Sequence, residues 1–258
     1  MAIHIKRMGG NMKIGIIGGT GFYKSQGEKI EIETDYGEII AYHFKKYKKD
    51  VFFISRHGKK HEKPAHMVNY HGNIQAMKRI GISAIIGISN VGSMKKSIEP
   101  GKIFIPNDFI DFTKRKTTFF DDIAIHIDLS EPFCPIIRKI LFDISKKYGA
   151  KEGIYVATEG PHLETKAEIA MLKNFGDVVG MTLVPEAILA REAGMCYASI
   201  CLVSNYAAGL QERLSIEEIK KMYKKKKPII EKIIDETIKN IPAKRNCRCK
   251  YAAEEGKL

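Results

Sequence analysis

Tryptophan is absent from this 258-residue sequence, and no apolar run approaches the ~18 residues that a membrane-spanning helix needs. The longest apolar stretches, such as Ile82 to Ile88, are broken early by Gly and Ser. The N-terminus Met-Ala-Ile-His-Ile-Lys-Arg lacks an uninterrupted apolar core and a small-residue cleavage site, so secretion is not expected. H-E-x-x-H is missing, and no Cys or paired acid joins His57, His61, His66 and His71, which argues against a histidine zinc site. G-x-S-x-G is missing too, so the hydrolase nucleophile elbow is excluded. There is no G-x-G-x-x-G fingerprint, no P-loop, no internal repeat and no low-complexity linker.

What is present suits a folded protein: 44% hydrophobic, 28% charged and 9% aromatic residues rule out wholesale disorder and a collagen-like fibre. Five cysteines, Cys134, Cys196, Cys201, Cys247 and Cys249, are an odd number, and two of them sit in apolar strand-like context. That pattern opposes a secreted disulfide framework and points to a reducing cytoplasm. Cys247-Arg248-Cys249 in the Lys-rich tail admits three readings: a strained redox pair, a soft-metal ligand pair, or two free thiols. The net charge of +13 is concentrated in Lys45–Lys49, Lys220–Lys227 and the tail. The middle run falls on an expected surface helix and no nucleic-acid motif accompanies it, so a solvated face is favoured over nucleic-acid binding.

Strand-like runs at Lys13–Ile17, Ile30–Thr34, Ile39–Phe44, Val51–Ser55, Ser83–Ser89, Lys102–Ile105, Gly153–Thr158, Val178–Met181 and Tyr197–Val203 alternate with helical spacing. The helices are expected at Pro64–Ile80, Pro135–Tyr148, Thr165–Phe175, Val184–Ala193 and Ser215–Ile238, with Pro106 stopping one strand and Pro228 interrupting the last helix. This predicts a single-domain α/β fold with a mixed β-sheet covered by helices. The expected organisation is an appendage over residues 1–12, one domain over 13–241 and a C-x-C tail over 242–258; translation beginning at Met8 or Met12 would explain the appendage.

Six loops follow strands and can carry chemistry. Gly18-Gly19-Thr20-Gly21 offers close backbone approach and a hydroxyl, suiting either an anion or a plain tight turn. Ser55-Arg56-His57-Gly58 offers a guanidinium fork and an imidazole donor suited to phosphate. Ser89-Asn90-Val91-Gly92-Ser93 supplies neutral donors, or merely a cap or turn. The others are Thr158 to Thr165, Gly180 to Glu186, and Ser204-Asn205-Tyr206-Ala207-Ala208-Gly209.

Taken together, Ile16–Gly21, Arg56-His57-Gly58, Val68-Asn69-Tyr70, Glu131–Pro135, Thr158–Pro161, Met181–Glu186 and Ala190–Ser199 resemble the trimeric purine nucleoside phosphorylase family, specifically its methylthioadenosine phosphorylase branch. The resemblance spans roughly Lys13 to Ile241. It implies phosphorolysis of a purine nucleoside to free base and pentose 1-phosphate, with phosphate as co-substrate and no metal or organic cofactor. It implies a phosphate site from Thr20, Arg56, His57, Ser89 and Thr182, with Met181 against the ribose and Leu163, Asn205, Tyr206 and Ala207 among the substrate contacts. It also implies a homotrimer, or a hexamer of paired trimers, in which a neighbour's His126 completes the 5′ pocket; neither nucleic acid nor membrane is an expected partner.

The chain departs from its nearest-looking branch at the base. Methylthioadenosine phosphorylases carry Asp-x-Asp after the last buried strand, where this sequence has Asn205-Tyr206-Ala207. An Asn amide can donate to the O6/N7 edge of a 6-oxopurine, and the Glu164 carboxylate accepts from its N1–H. Adenine presents a lone pair at N1 instead, and a mispaired buried contact costs ~1–3 kcal/mol. By the resemblance, Asn205 and Glu164 stand where 6-oxopurine nucleoside phosphorylases carry Asn and Glu, which makes them the expected catalytic pair. At the sugar end, the 6-oxopurine enzymes place a His in the terminal helix, whereas this chain has Ile216 and Ile219, and no His follows His162. An apolar lining prefers a methylthio group to a hydroxyl. The combination predicts S-methyl-5′-thioinosine as substrate, with a broader inosine/guanosine phosphorylase as the alternative and methylthioadenosine third.

Overall fold

In a computed structural model of the chain, residues 12–19, 27–58, 62–213 and 215–257 are described. Nine strands form one sheet: β1 (Lys13–Gly18), β2 (Glu28–Ile32), β3 (Ile39–Lys46), β4 (Lys49–Ser55), β5 (Ala84–Ser93), β6 (Ile103–Asp111), β7 (Lys151–Ala157), β8 (Val178–Gly180) and β9 (Cys196–Tyr206). Six helices accompany them: α1 (Tyr70–Arg79), α2 (Pro135–Ser145), α3 (Lys166–Leu172), α4 (Leu183–Glu192), α5 (Ile216–Asn240) and α6 (Ala252–Glu255). Among the described residues no helix is long and apolar enough to cross a membrane.

Local chemistry sets the helix ends. The Asn69 side chain accepts from the Gly72 N–H at the start of α1, and Thr165 and Glu168 make a reciprocal capping box on α3. Pro135 opens α2, and Gly149 closes the turn after it with φ +70°. The helices cover both sides of the sheet. Ile16, Ile86, Ile200 and Leu202 pack with Leu141 of α2 and Ile230, Ile233 and Ile234 of α5. Ile17, Phe52, Ile54 and Ile85 pack with Ile74 of α1 and Leu189 of α4. Burial on two faces explains why β5 and β9 read as continuous apolar runs rather than alternating ones.

Two prolines behave differently from expectation. β6 continues through Pro106 to Asp111, because the ladder to β7 shifts register between Pro106 and Asp108 and so absorbs the missing N–H. Helix α5 runs through Pro228. Pro228 and Lys224, one turn earlier, are exposed, so water can reach the carbonyl that loses its partner, while Ile230, Ile233, Ile234 and Ile238 anchor the opposite face. The exposed or half-buried Lys220–Lys227 side chains make a solvated face, as the sequence pattern implied.

One topological feature positions the site. β5 pairs with β1 through Ile17↔Gly87, and with β8 only from Gly92↔Val179. Ile88 to Val91 therefore lack a partner strand on that side and open a gap between β1 and β8. On its other side β5 stays paired with β9, and β9, β6, β7 and β8 close the sheet back onto β5.

Candidate active site

A cavity of about 230 Å³ fills the gap where β5 changes neighbours. Its lining includes Arg56, His57, Ser89, Asn90, Leu163, Glu164, Met181, Thr182, Asn205, Ala207 and Ile219. Eleven positions spread over 164 residues of sequence thus meet in one place, at loops beyond strand ends, as open α/β sheets arrange their ligand sites.

The oxyanion-type donors come from three elements. Ser89 Oγ lies 3.2 Å from Thr182 Oγ1. Thr182 precedes the first turn of α4, and its hydroxyl makes no capping bond to that helix. The hydroxyl is thereby left facing Ser89 at a helix N-terminus, a position that favours an anion. The Thr182 backbone N–H donates to the buried Tyr155 hydroxyl over 3.1 Å. Burial pushes the Tyr155 hydroxyl well above the usual phenol range, so it stays neutral. Gly180 permits this approach, since a Cβ there would sit 2.4 Å from the Tyr155 oxygen. His57 Nδ1 lies 2.9 Å from the Lys63 carbonyl, which can only accept, so Nδ1 carries the hydrogen. Thr20 lies outside the described residues.

Arg56 is placed at the cavity, but its two-nitrogen fork grips a protein carboxylate. Nε donates to Glu186 Oε1 over 2.5 Å and Nη2 to Glu186 Oε2 over 2.8 Å. Nη1 donates to the Ile88 carbonyl over 2.7 Å and Nη2 to that of Ile17 over 3.4 Å. Four of the five guanidinium hydrogens are thus engaged, leaving one on Nη1 for a ligand. Burial disfavours the Arg56 charge, but the Glu186 carboxylate outweighs it and holds the guanidinium above its ordinary value. Glu186 also accepts from the Tyr197 hydroxyl over 2.7 Å. Glu186 closes the Met181–Glu186 motif, and nothing in the sequence assigns it a role. Its first-turn position in α4 reads as ordinary helix chemistry until the fold brings Arg56 to it.

At the base-type end, Glu164 accepts from the Thr158 hydroxyl over 2.6 Å. Asn205 Nδ2 donates to the Tyr206 carbonyl over 2.9 Å, and Oδ1 accepts from the Ser204 hydroxyl over 2.6 Å. Because a carbonyl only accepts, this contact orients the amide and leaves one Nδ2 hydrogen available. A β-bulge creates the arrangement: the β5–β9 register passes from Val91↔Val203 to Gly92↔Asn205, making Ser204 the extra residue. Ser204 and Asn205, which strict alternation would place on opposite faces, both line the cavity.

Three expected substrate contacts fall elsewhere within this chain. The Tyr206 hydroxyl donates to the Lys96 carbonyl over 3.1 Å and does not line the cavity, because alternation past the bulge turns it away from Asn205. Ile216, the first residue of α5, is 57% exposed and does not line the cavity. Ile219 does, together with Tyr223 one helical turn later, whose i,i+4 relation to Ile219 was the available signal for it. His126 is exposed and tied by its backbone N–H to the Gly256 carbonyl, away from the cavity of its own chain.

Arg115 was not anticipated either, and no local pattern marks it. It donates to the carbonyls of Met181 and Glu159, to Glu159 Oε1 over 3.2 Å and to the Tyr70 hydroxyl over 3.0 Å. It thereby ties the Thr158–Thr165 loop to the strand end that carries Met181. Gly160, at φ +67°, clears the way for Met181, whose sulfur would lie 2.5 Å from a Cβ there.

Comparison with known proteins identifies the family and the fold. The Phosphorylase superfamily pattern matches residues 13–239. A "Probable S-methyl-5′-thioinosine phosphorylase" from Methanocaldococcus jannaschii is 45% identical over 246 residues, covering 93% of this chain and 97% of that protein. A "Probable 6-oxopurine nucleoside phosphorylase" from Dictyoglomus turgidum is 44% identical over 256 residues, covering 95% and 97%. Among solved structures, methylthioadenosine phosphorylase from Schistosoma mansoni in complex with adenine superposes with TM-score 0.89 at 27% identity, covering 96% of this chain and 99% of that one. The chain belongs to the Phosphorylase superfamily.

Proposed function

We propose that this member of the Phosphorylase superfamily is an S-methyl-5′-thioinosine phosphorylase, a pentosyltransferase that releases hypoxanthine and 5-methylthioribose 1-phosphate. The observation that carries the reading is the meeting of Glu164, Asn205 and Ile219 in one cavity with Arg56, Ser89 and Thr182. Relatives named for this activity match over nearly their whole length.

The residue types fit the chemistry. As the C1′–N9 bond breaks, positive charge develops on the sugar and negative charge on the purine. Phosphate held by the Ser89 and Thr182 hydroxyls and the remaining Arg56 N–H, with His57 at its side, stabilises the sugar cation and attacks C1′. These are mostly neutral donors, and Arg56 is already paired with Glu186, so the phosphate keeps its negative charge where the cation forms. Orientation of both reactants in one cavity supplies a further part of the rate. The free Asn205 Nδ2 hydrogen stabilises the departing base at N7, and the Glu164 carboxylate accepts from N1–H. Met181, Leu163 and Ile219 give the 5′ substituent an apolar surround.

The same proposal includes a homotrimer, or a hexamer of trimers, in which a neighbour's His126 and adjoining residues close the 5′ pocket. The exposed Ile216 at the start of α5 supports it, since this apolar side chain, three residues before Ile219, is more than half exposed among the described residues. A cytoplasmic location accompanies this reading, supported by five unpaired cysteines. The 6-oxopurine name of the Dictyoglomus relative keeps a broader inosine/guanosine activity as the second reading.

The test is a comparison of phosphate-dependent kcat/KM for methylthioinosine, inosine and methylthioadenosine. Methylthioinosine well ahead is the expected result. Inosine equal or faster would favour the second reading, and methylthioadenosine ahead would overturn the base assignment.

A further inference from the structure

The cavity leaves one sequence motif without a role, the Cys247-Arg248-Cys249 pair of the tail. The structure brings two further cysteines to it. Cys134 caps the start of α2, and Cys196 is the first residue of β9. The four sulfurs of Cys134, Cys196, Cys247 and Cys249 all lie within 4.8 Å of one another. Cys247 Sγ is 3.7 Å from Cys134 Sγ and 3.3 Å from Cys196 Sγ. Three of the four residues are buried and Cys247 is half-buried, and none is disulfide-bonded. A tetrahedron of thiolates around zinc, with Zn–S of about 2.3 Å, has edges of about 3.8 Å.

We propose that Cys134, Cys196, Cys247 and Cys249 hold one zinc ion in a closed tetrathiolate site that staples the C-terminal tail to the sheet. Four soft sulfur donors in a compact tetrahedral array select zinc among the abundant divalent ions, and a site with no open position is structural. Binding is a proton exchange without redox change: Zn²⁺ and four thiols give a tetrathiolate complex of charge −2 and four protons.

The surroundings fit that charge. Arg245 Nε donates to Cys196 Sγ over 3.3 Å, and the same guanidinium is fixed by Ser83 Oγ at 2.7 Å and the Pro242 carbonyl at 3.0 Å. This is an outer-shell cation that orients a ligand and offsets the complex. Cys134 stands at the N-terminal end of α2, where the helix favours a negative sulfur.

The described part of the tail buries few side chains. Beyond Ile241, its buried side chains are Cys249 and Ala252. Yet it runs against the body of the protein, with the Gly256 carbonyl accepting from the His126 N–H and Gly194 packed on the Lys250 backbone. A metal ion bonded to both walls adds a stronger attachment. The site is remote from the chemistry: Cys196 and Asn205 are nine residues apart on one strand, about 30 Å at the rise of an extended chain.

The experiment uses the full chain purified under reducing conditions without chelator. Metal analysis is expected to give one zinc per chain, released in proportion to a mercurial that titrates the thiols. Cobalt(II) exchanged into the wild-type protein is expected to show the strong visible bands of tetrahedral cobalt–thiolate coordination, which reports the site without any variant having to fold. The variant Cys247→Ser/Cys249→Ser is expected to lose zinc by about tenfold or more and to become cleavable by trypsin after Lys244, while phosphorolysis is retained. A metal-free folded protein with all four thiols titrating, disulfides linking these cysteines in the reduced preparation, or zinc content unmoved by the double variant would each overturn the proposal.

Discussion

Arg56 and Glu186 form a two-point ion pair in which both side chains are almost wholly buried, at 2% and 0% exposure. The Arg56 cation at the candidate phosphate site is therefore already neutralised. Removing one partner strands the other as a buried charge, which commonly costs ~3–5 kcal/mol. Glu186→Gln is expected to lower stability by an amount in that range, read from the midpoint of urea unfolding, with phosphate KM rising as Arg56 is released. A loss below ~1 kcal/mol would show that Arg56 finds other support.

The amide at position 205 is predicted to select the base. Asn205→Asp with Ala207→Asp should move the methylthioadenosine-to-methylthioinosine ratio of kcat/KM upward by about 10- to 100-fold, as expected from one or two mispaired contacts of ~1–3 kcal/mol each. Ala207 is packed with Met94, Val156 and Val179, so the second substitution also carries a burial cost. Asn205→Asp alone separates selectivity from that cost, and an unchanged ratio in both variants would remove Asn205 from base recognition.

Ile219 lines the cavity and Ile216 does not, so the two isoleucines should respond differently. Ile219→His is expected to favour inosine over methylthioinosine by about 5- to 10-fold, because a donor replaces an apolar contact at the 5′ end. Ile216→His should move the ratio less than Ile219→His does. Equal responses would mean that assembly brings Ile216 into the pocket.

Arg115 acts on substrate only through the loop it holds. Arg115→Lys keeps the charge but loses the planar set of donors that reaches Met181, Glu159 and Tyr70 together. The expected outcome is a rise of several-fold in nucleoside KM with phosphate KM little changed, measured by varying each substrate separately. Parallel changes in both constants would indicate general loosening instead.

Glu159 carries a pH signature of the same contact. Burial raises its carboxyl, but the Lys114 N–H and the Arg115 guanidinium outweigh that and hold it below the ordinary carboxylate value. A carboxyl depressed in the folded state stabilises above its unfolded pKa, and that contribution fades as pH falls through the folded value. Glu159→Gln should therefore lose less stability than wild type between pH 6 and 3, as read by thermal melts. Identical acid dependence of the two proteins would exclude a contribution from this pair.

The sequence by itself determined what local pattern can encode. Strands that begin and end in recognisable runs, helices with caps such as Thr165 and Glu168, and loops at the strand ends were all legible, as was the resemblance carried by Arg56-His57-Gly58 and Met181–Glu186. Asn205, Glu164 and Ile219 could be singled out because the resemblance marks their positions and their side-chain chemistry suits the proposed purine edge and 5′ group. The tertiary structure decided everything that depends on meeting across long separations. The bulge at Ser204 turned Asn205 toward the cavity and Tyr206 away. The gap in β5 pairing placed Ser89 against Thr182, and the packing of α4 gave Arg56 its partner Glu186. Cys134 and Cys196 joined Cys247 and Cys249 from positions 113 and 51 residues away. Spacing along a chain records periodicity within one element. Which elements become neighbours is settled by the burial of their apolar faces, and only then do distant polar groups acquire partners.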